Sequence, residues 1–310
     1  VNPNQTVQYL TIDSEQAGQR LDNWLTTRLK GVPKGKIYRI IRKGEVRVNK
    51  ARVKPEYRVV AGDIVRVPPV RVSQTTPKAQ PHQKVLQDLE QSILYEDSQF
   101  LVLNKPSGLA VHGGSGISYG VIEGLRKLRP NIKSLELVHR LDRDTSGCLL
   151  VAKRRSMLRY LHEIIREGHI DKIYQAVVLG RWSKRRKQIS APLRKNEPRA
   201  GERIVKVDPE GKQALTEFEV IQYYPELTLV QAKPITGRTH QIRVHTQYAG
   251  HPIVGDEKYG DFAVNRQLKS KGFNRLCLHA AQLIFELPDG TLFNIEAPLP
   301  ESIQQTLAQL

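Results

Sequence analysis

From Val72 to about Val85 the chain loses all hydrophobic periodicity and runs through Ser, Thr, Gln, Pro and Lys. This gap most limits what the 310 residues can fold into, because such a stretch reads as a solvated connection and not as part of a core. Two bodies are therefore expected: a small module at 18–71, a linker at 72–88 and a larger domain at 89–310. The length agrees, at ~100–200 residues per domain.

The small module holds 15 Lys and Arg against 4 Asp and Glu, so it carries +11 of the chain's formal charge of +18. Leu21, Trp24, Leu25 and Leu29 recur at helical spacing, and Ile37, Ile40 and Ile41 do so after the breaker Pro33, with Gly44 as the C-terminal stop. Short β-prone runs follow at Val46 and Val48 and again at Val59, Ile64, Val65 and Val67, broken by Asn49, Pro55 and Gly62. A charge run on one helix is by default only a solvated face. Here it extends over both helices and the strands, through Lys34, Lys36, Arg39, Arg42, Lys43, Arg47, Lys50, Arg52 and Lys54. A polyanionic partner fits this, either nucleic acid or a membrane surface.

No run of ~18 apolar residues appears, and Val1 to Thr11 lack a basic n-region and an apolar h-region, so neither a membrane span nor a secretory signal is expected. Two cysteines, Cys148 and Cys277, cannot build a disulfide framework. Both are expected to pack, in a reducing cytosol.

Beyond the linker, strands are predicted at 100–104, 147–153, 173–179, 215–223, 227–232 and 282–286, and helices at 117–128, 155–167 and 238–249. Strands outnumber helices and neighbours are joined by turns such as Tyr224-Pro225-Glu226. A mainly antiparallel α+β sheet is preferred over a doubly wound parallel one. No internal repeat is visible.

Several partial motifs fail on chemistry. His112 to Gly116 lacks the Gly-Lys-Ser/Thr of a phosphate loop and the spacing of a dinucleotide fingerprint, and is expected to be a flexible loop. His240 and His245, five apart on a predicted helix, point to different faces, and no metal site follows. There is no Gly-x-Ser-x-Gly elbow, nor a pair of carboxylates in one segment as a glycosidase would need. What remains is the polar block HRLDRDTSG at 139–147, set between apolar Leu137-Val138 and a predicted strand. Asp144, Thr145, Ser146 and Gly147 read as turn residues. Asp142 differs: Leu141 precedes it and Arg140 and Arg143 flank the pair. Its backbone is expected to be anchored in the core, with the carboxylate facing a basic cleft.

HRLDRDTSG resembles the motif of the RluA-type pseudouridine synthases, and further segments match that family in order: LNKPSGLAVH at 103–112, Lys172-Ile173-Tyr174 before a strand, GRTHQIRVH at 237–245, and Leu276 to Ala280. The run RLDNWL…IYRIIRKGEVRVNK also resembles the S4-like module first known from a small-subunit ribosomal protein. Within the family, the basic module in front and the AVHGGSG form of the first motif are most similar to synthases of large-subunit (23S) ribosomal RNA.

The resemblance implies isomerisation of uridine to pseudouridine, in which the base is detached from the ribose through nitrogen and rejoined through carbon-5. No atom is gained, so no cofactor is expected; a monomer acting on ribosomal RNA in the cytoplasm is. Asp142 becomes the required carboxylate, forming a covalent adduct or assisting a glycal-type elimination. Arg243 becomes its counterion, Tyr174 packs on the uracil and is a candidate for proton transfer, and Arg140 fills the gap left by an extruded base. Lys105 and Leu278 take supporting places, while Lys34, Lys36, Arg39, Arg42, Lys43 and Arg47 hold RNA. The alternatives are an RNA-binding or ribosome-assembly protein without catalysis, a synthase with a different RNA target, and a carboxylate hydrolase, which lacks an evident second carboxylate.

Overall fold

The computed structural model describes residues 6–29, 31–70, 81–114, 119–195 and 204–310. The chain divides into two compact units, Val1–Ala79 and Gln80–Leu310.

In the first unit, β1 (Gln8–Thr11), α1 (Leu21–Arg28), α2 (Lys34–Arg42), β2 (Arg47–Val48) and β3 (Ile64–Val67) follow in order. The three strands pair as β1-β3-β2. The helical spacing has the predicted consequence: Leu21, Trp24, Leu25, Ile37, Ile40 and Ile41 are all buried in one cluster with the strand valines. Pro33 caps α2 in an extended conformation, and Gly44 past its end takes φ 72°, a region in which glycine carries no Cβ penalty. With its isoleucines inside, α2 turns Lys34, Arg39 and Arg42 outward, and Lys43 and Arg47 just beyond it are exposed too; Lys36 is half-buried.

The second unit opens with α3 (Gln83–Gln91). This corrects the expected linker: residues 71–80 lie outside the described residues, but 83–88 are helical. Val85 and Leu89, one turn apart, supply an apolar edge, and Leu89 is fully buried. There follow β4 (Ile93–Glu96), β5 (Phe100–Lys105), α4 (Val121–Leu128), β6 (Glu136–Leu137), β7 (Ser146–Ala152), α5 (Arg155–Glu167), β8 (Ile170–Leu179), β9 (Gln188–Ser190), β10 (Leu193–Lys195) and β11 (Val205–Val207). The chain continues through β12 (Leu215–Tyr223), β13 (Leu227–Pro234), α6 (Gln241–Tyr248), α7 (Phe262–Ser270), β14 (Leu278–Glu286), β15 (Leu292–Glu296) and α8 (Glu301–Ala308).

Among the described residues, ten of these strands form one sheet of order β4-β5-β7-β14-β8-β13-β12-β9, with β6 beside β7 and β15 beside β14. Helices cover both faces of its centre. Along β7, Cys148, Leu150 and Ala152 pack with Met157, Leu161 and Ile164 of α5, while Leu149 and Val151 pack with Leu89, Val121 and Leu125 of α3 and α4. Burial on both faces is why this strand reads as an unbroken apolar run. Both cysteines are free and buried, and burial pushes each thiol up to about 12.

Every pairing in this sheet is antiparallel except the contact of β7 with β14, which is parallel and short: His279 lies opposite Ser146 and Ala280 opposite Gly147. On its other edge β14 pairs antiparallel with β8, placing Ala280 opposite Tyr174. Gly147 and Tyr174, from two of the conspicuous motifs, thus flank one residue of a third. Gly147 has φ 106°, and a Cβ there would overlap the Ala280 carbonyl. We predict that Gly147→Ala destabilises the protein by more than about 1 kcal/mol in denaturant unfolding; an unchanged midpoint would show that the strands can part without cost.

Candidate active site

The segment carrying Asp142 has no regular structure of its own, and its neighbours hold it on both sides. The His139 ring accepts the Leu150 N–H through Nε2 at 3.1 Å. Burial pushes this histidine down to about 4, so it is neutral and fit to accept. Leu141 is buried in the core between β7 and α4. On the far side, the Lys105 ammonium donates to the carbonyls of Pro106, Leu109 and Arg143, each at 2.8 Å. The Arg143 carbonyl also accepts the Gly108 N–H at 2.9 Å, and Ser107 Oγ donates to the Asp144 carbonyl at 2.7 Å. Lys105 is fully buried, and burial pushes it down to about 7 against the opposing charge of Asp144. Its three acceptors match the three donors of an ammonium, so its role is to bolt the LNKPSG turn to the HRLDRD loop. The glycine-rich stretch after it is partly tied as well: Glu123 accepts the N–H groups of Gly113 and Gly120 at 3.0 and 2.8 Å. Residues 115–118 lie outside the described residues.

Asp142 keeps 30 % of its side-chain surface open, enough to meet a ligand. Arg243 approaches from the first turns of α6, and its Nη1 donates to Asp142 Oδ2 at 3.0 Å. The other edge of the guanidinium is taken by Asp256, with Nε to Oδ2 at 2.7 Å and Nη2 to Oδ1 at 2.8 Å. Asp256 also accepts the N–H groups of Lys258 and Tyr259 and is fully buried. Burial opposes the charge of both partners; the ion pair outweighs it, holding Asp256 below and Arg243 above their ordinary values. The Tyr259 ring lies beneath the guanidinium, 5.0 Å from its centre.

Helix α6 starts later than the predicted 238–249, because His240 takes the left-handed conformation at φ 54°. That turn aims its ring back into the site, with Nδ1 2.6 Å from the Tyr259 hydroxyl and Nε2 3.7 Å from Asp142 Oδ1. Burial lowers its affinity for a proton, with Asp142 pulling the other way. His245 points elsewhere, buried between Thr216 and the Ala191 carbonyl.

Tyr174 is half-buried between two core clusters. Its hydroxyl has no hydrogen-bond partner among the described residues. Burial, then the charge of Asp142, raises its pKa above the ordinary phenol value. Leu278 is buried in the core against which Tyr174 packs. Arg140 is exposed and makes no ion pair among the described residues. The parallel seam is locked by Ser146 Oγ, which meets His279 Nδ1 at 2.8 Å and accepts from Arg275, while His279 Nε2 lies 3.0 Å from the Ala297 carbonyl.

Asp142, Arg243 and Tyr174 are therefore brought together, with Lys105 behind the loop. The cations of α2 belong to the other unit. Sequence reasoning missed Asp256, Tyr259 and His240. For His240 a signal existed, since it lies in GRTHQIRVH; nothing local marks Asp256. Among the described residues no group of three or more His, Cys, Asp or Glu could hold a metal ion.

The site is thus a single half-open carboxylate set against a buried arginine, on a mainly antiparallel sheet, in a chain whose first unit is basic. Residues 99–248 match the family described as RNA pseudouridylate synthase, and residues 19–65 match the S4 domain. The chain is 58 % identical to the ribosomal large subunit pseudouridine synthase C of Escherichia coli (strain K12), over 98 % of this chain and 97 % of that protein. It is also 58 % identical to the protein of the same name from Pasteurella multocida (strain Pm70), over 99 % and 95 %. Among solved structures, human RNA pseudouridylate synthase domain containing 4 matches with a TM-score of 0.58 and 27 % identity, over 73 % of this chain and 95 % of that one. The chain belongs to the RNA pseudouridine synthase family and is an isomerase.

The Arg243–Asp256 pair yields a stability prediction. Removing the charge of Asp256 leaves a buried cation half-paired, so Asp256→Asn is expected to cost about 3–5 kcal/mol at neutral pH. Because the folded-state value is lowered, the stabilisation is present above the ordinary value of 3.8 and fades as pH falls below it. The gap between wild type and variant in denaturant unfolding should therefore narrow in acid; a gap that stays constant down to pH 2 would rule out this linkage.

Proposed function

We propose that this chain converts uridine to pseudouridine in large-subunit ribosomal RNA, with Asp142 as the carboxylate that acts on the ribose of an extruded uridine. The observation that carries this reading is the unequal division of Arg243: Asp256 takes two of its N–H groups and Asp142 one. Asp142 thus sits beside a cation without being fully engaged by it and keeps an open face for a ligand.

The reaction cleaves the bond from C1′ of the ribose to N1 of the uracil and forms one from C1′ to C5. The proton on C5 leaves and N1 gains one, so atoms balance without a cofactor. The same carboxylate serves addition to the sugar or a glycal-type elimination. Tyr174 packs on the uracil, and its hydroxyl, which has no hydrogen-bond partner among the described residues, is placed to take part in the proton transfer that finishes the reaction. Arg140, exposed and without an ion pair among the described residues, stacks in the gap that the base leaves, and so offsets a few kcal/mol of unstacking. The hydrolase alternative weakens, because the second carboxylate, Asp256, is buried and committed to Arg243.

The outward cations of α2, with Lys43 and Arg47, hold RNA phosphates. Action as a monomer belongs to the same proposal. The ribosomal substrate is named for the bacterial relatives and supports a cytoplasmic setting; no helix among the described residues is long and apolar enough to cross a membrane.

Asp142→Asn is expected to bind RNA normally and to abolish isomerisation, read by mapping pseudouridine in ribosomal RNA from cells carrying only the variant; modification at the wild-type level would exclude Asp142. Replacing Lys34, Arg39, Arg42 and Lys43 by Gln should flatten the dependence of log affinity on log salt by about 3, at ~0.7 per phosphate contact. An unaltered slope would remove α2 from the RNA interface.

A further inference from the structure

The segment from Arg181 to Lys187, joining β8 to β9, holds five cations in seven residues: Arg181, Lys184, Arg185, Arg186 and Lys187. All five are exposed, and none forms an ion pair among the described residues. This is a dense uncompensated charge on the catalytic unit itself, separate from the basic S4-type unit.

The segment is also firmly built. Trp182 is buried, with its ring 4.7 Å from Phe218, and its indole N–H donates to the Arg186 carbonyl at 3.1 Å. Its backbone N–H donates to Thr228 Oγ1 at 3.1 Å, and its carbonyl accepts the Tyr223 hydroxyl at 2.9 Å. The Arg181 guanidinium lies over the Tyr223 ring at 4.0 Å. A chain that sequesters a tryptophan here fixes the backbone in one shape, so the cations beside it are presented with little ordering cost left for binding. Like charges crowded at a fixed spacing destabilise the free protein, and a row of phosphates relieves that repulsion.

Arg186 also links the cluster to the active site, since its Nη1 donates to the Ala249 carbonyl at the carboxyl end of α6. The amino end of the same helix carries His240 and Arg243 beside Asp142. Eight residues of helix span about 12 Å, so the cluster lies about one short helix away from the reacting carboxylate.

We propose that Arg181, Lys184, Arg185 and Lys187 form a second RNA-phosphate surface, in addition to the S4-type unit, which grips the backbone near the target uridine. This rests on the function proposed above and specifies how the catalytic unit holds its substrate. Phosphate contacts of this kind set position and affinity and carry no sequence information.

The test is the triple variant Lys184→Gln, Arg185→Gln, Lys187→Gln in the full chain, with binding to large-subunit ribosomal RNA followed over a range of salt concentrations. The expected result is a slope of log affinity against log salt smaller by about 2, at ~0.7 per contact for three contacts, with affinity at least tenfold weaker at physiological salt. Wild-type slope and affinity in the triple variant would overturn the proposal and leave an acidic protein surface as the occupant of the loop. Binding is read without catalysis, so the two readings fail separately: a wild-type chain that forms no pseudouridine defeats the isomerase assignment, whereas an unchanged slope defeats only this surface.

Discussion

One guanidinium held between two carboxylates is the constraint around which the catalytic unit is organised. A buried arginine is tolerable only when paired and hydrogen-bonded, and Asp256 meets that demand in full with a two-point contact and two backbone donors of its own. Asp142 can then lean on the arginine through a single bond and keep a free face. Were Asp142 the sole counterion, the best electrostatic solution would be a closed two-point pair, which would bury the oxygens that have to work. Tyr259 completes the support, lying under the guanidinium and meeting the His240 ring, so the start of α6 and the turn at 256–259 are tied to each other before any RNA arrives.

The loop bearing Asp142 is governed by the same logic of satisfied buried groups. Lys105, given a supporting place by its motif, serves the fold as a three-way backbone clamp. An irregular segment in a dry region must have its carbonyls answered by something, and a buried ammonium can answer three.

Much of this was legible in the chain and some was not, for identifiable reasons. Apolar spacing gives α1 and α2 with their stop at Gly44 because local periodicity and burial coincide there. The central strands were legible because both faces of β7 are covered and the apolar run is continuous. Helix α3 was hidden by polar residues on three sides of a narrow apolar edge. The short strands β9, β10 and β11 were hidden too, since three residues give no measurable period. At the site, Asp142 and Arg243 stand out through their motifs, whereas Asp256 is one aspartate in an ordinary turn. Its meaning lies in a partner 13 residues away, brought close by the end of α6 and not by any local pattern.

The parallel seam between β7 and β14 has a consequence for when the enzyme comes into being. The residues that meet there, Ser146 and His279, are 133 positions apart, and β14 follows every other strand of the sheet except β15. During synthesis β7 and β8 emerge long before the strand that lies between them, so the edge that each turns toward β14 stays unpaired until nearly the whole unit has left the ribosome. A chain halted before β14 would already carry Asp142 and Arg243 but have no seam to hold Gly147 and Tyr174 on either side of Ala280. The seam that orders the site is thus among the last parts of the sheet to close.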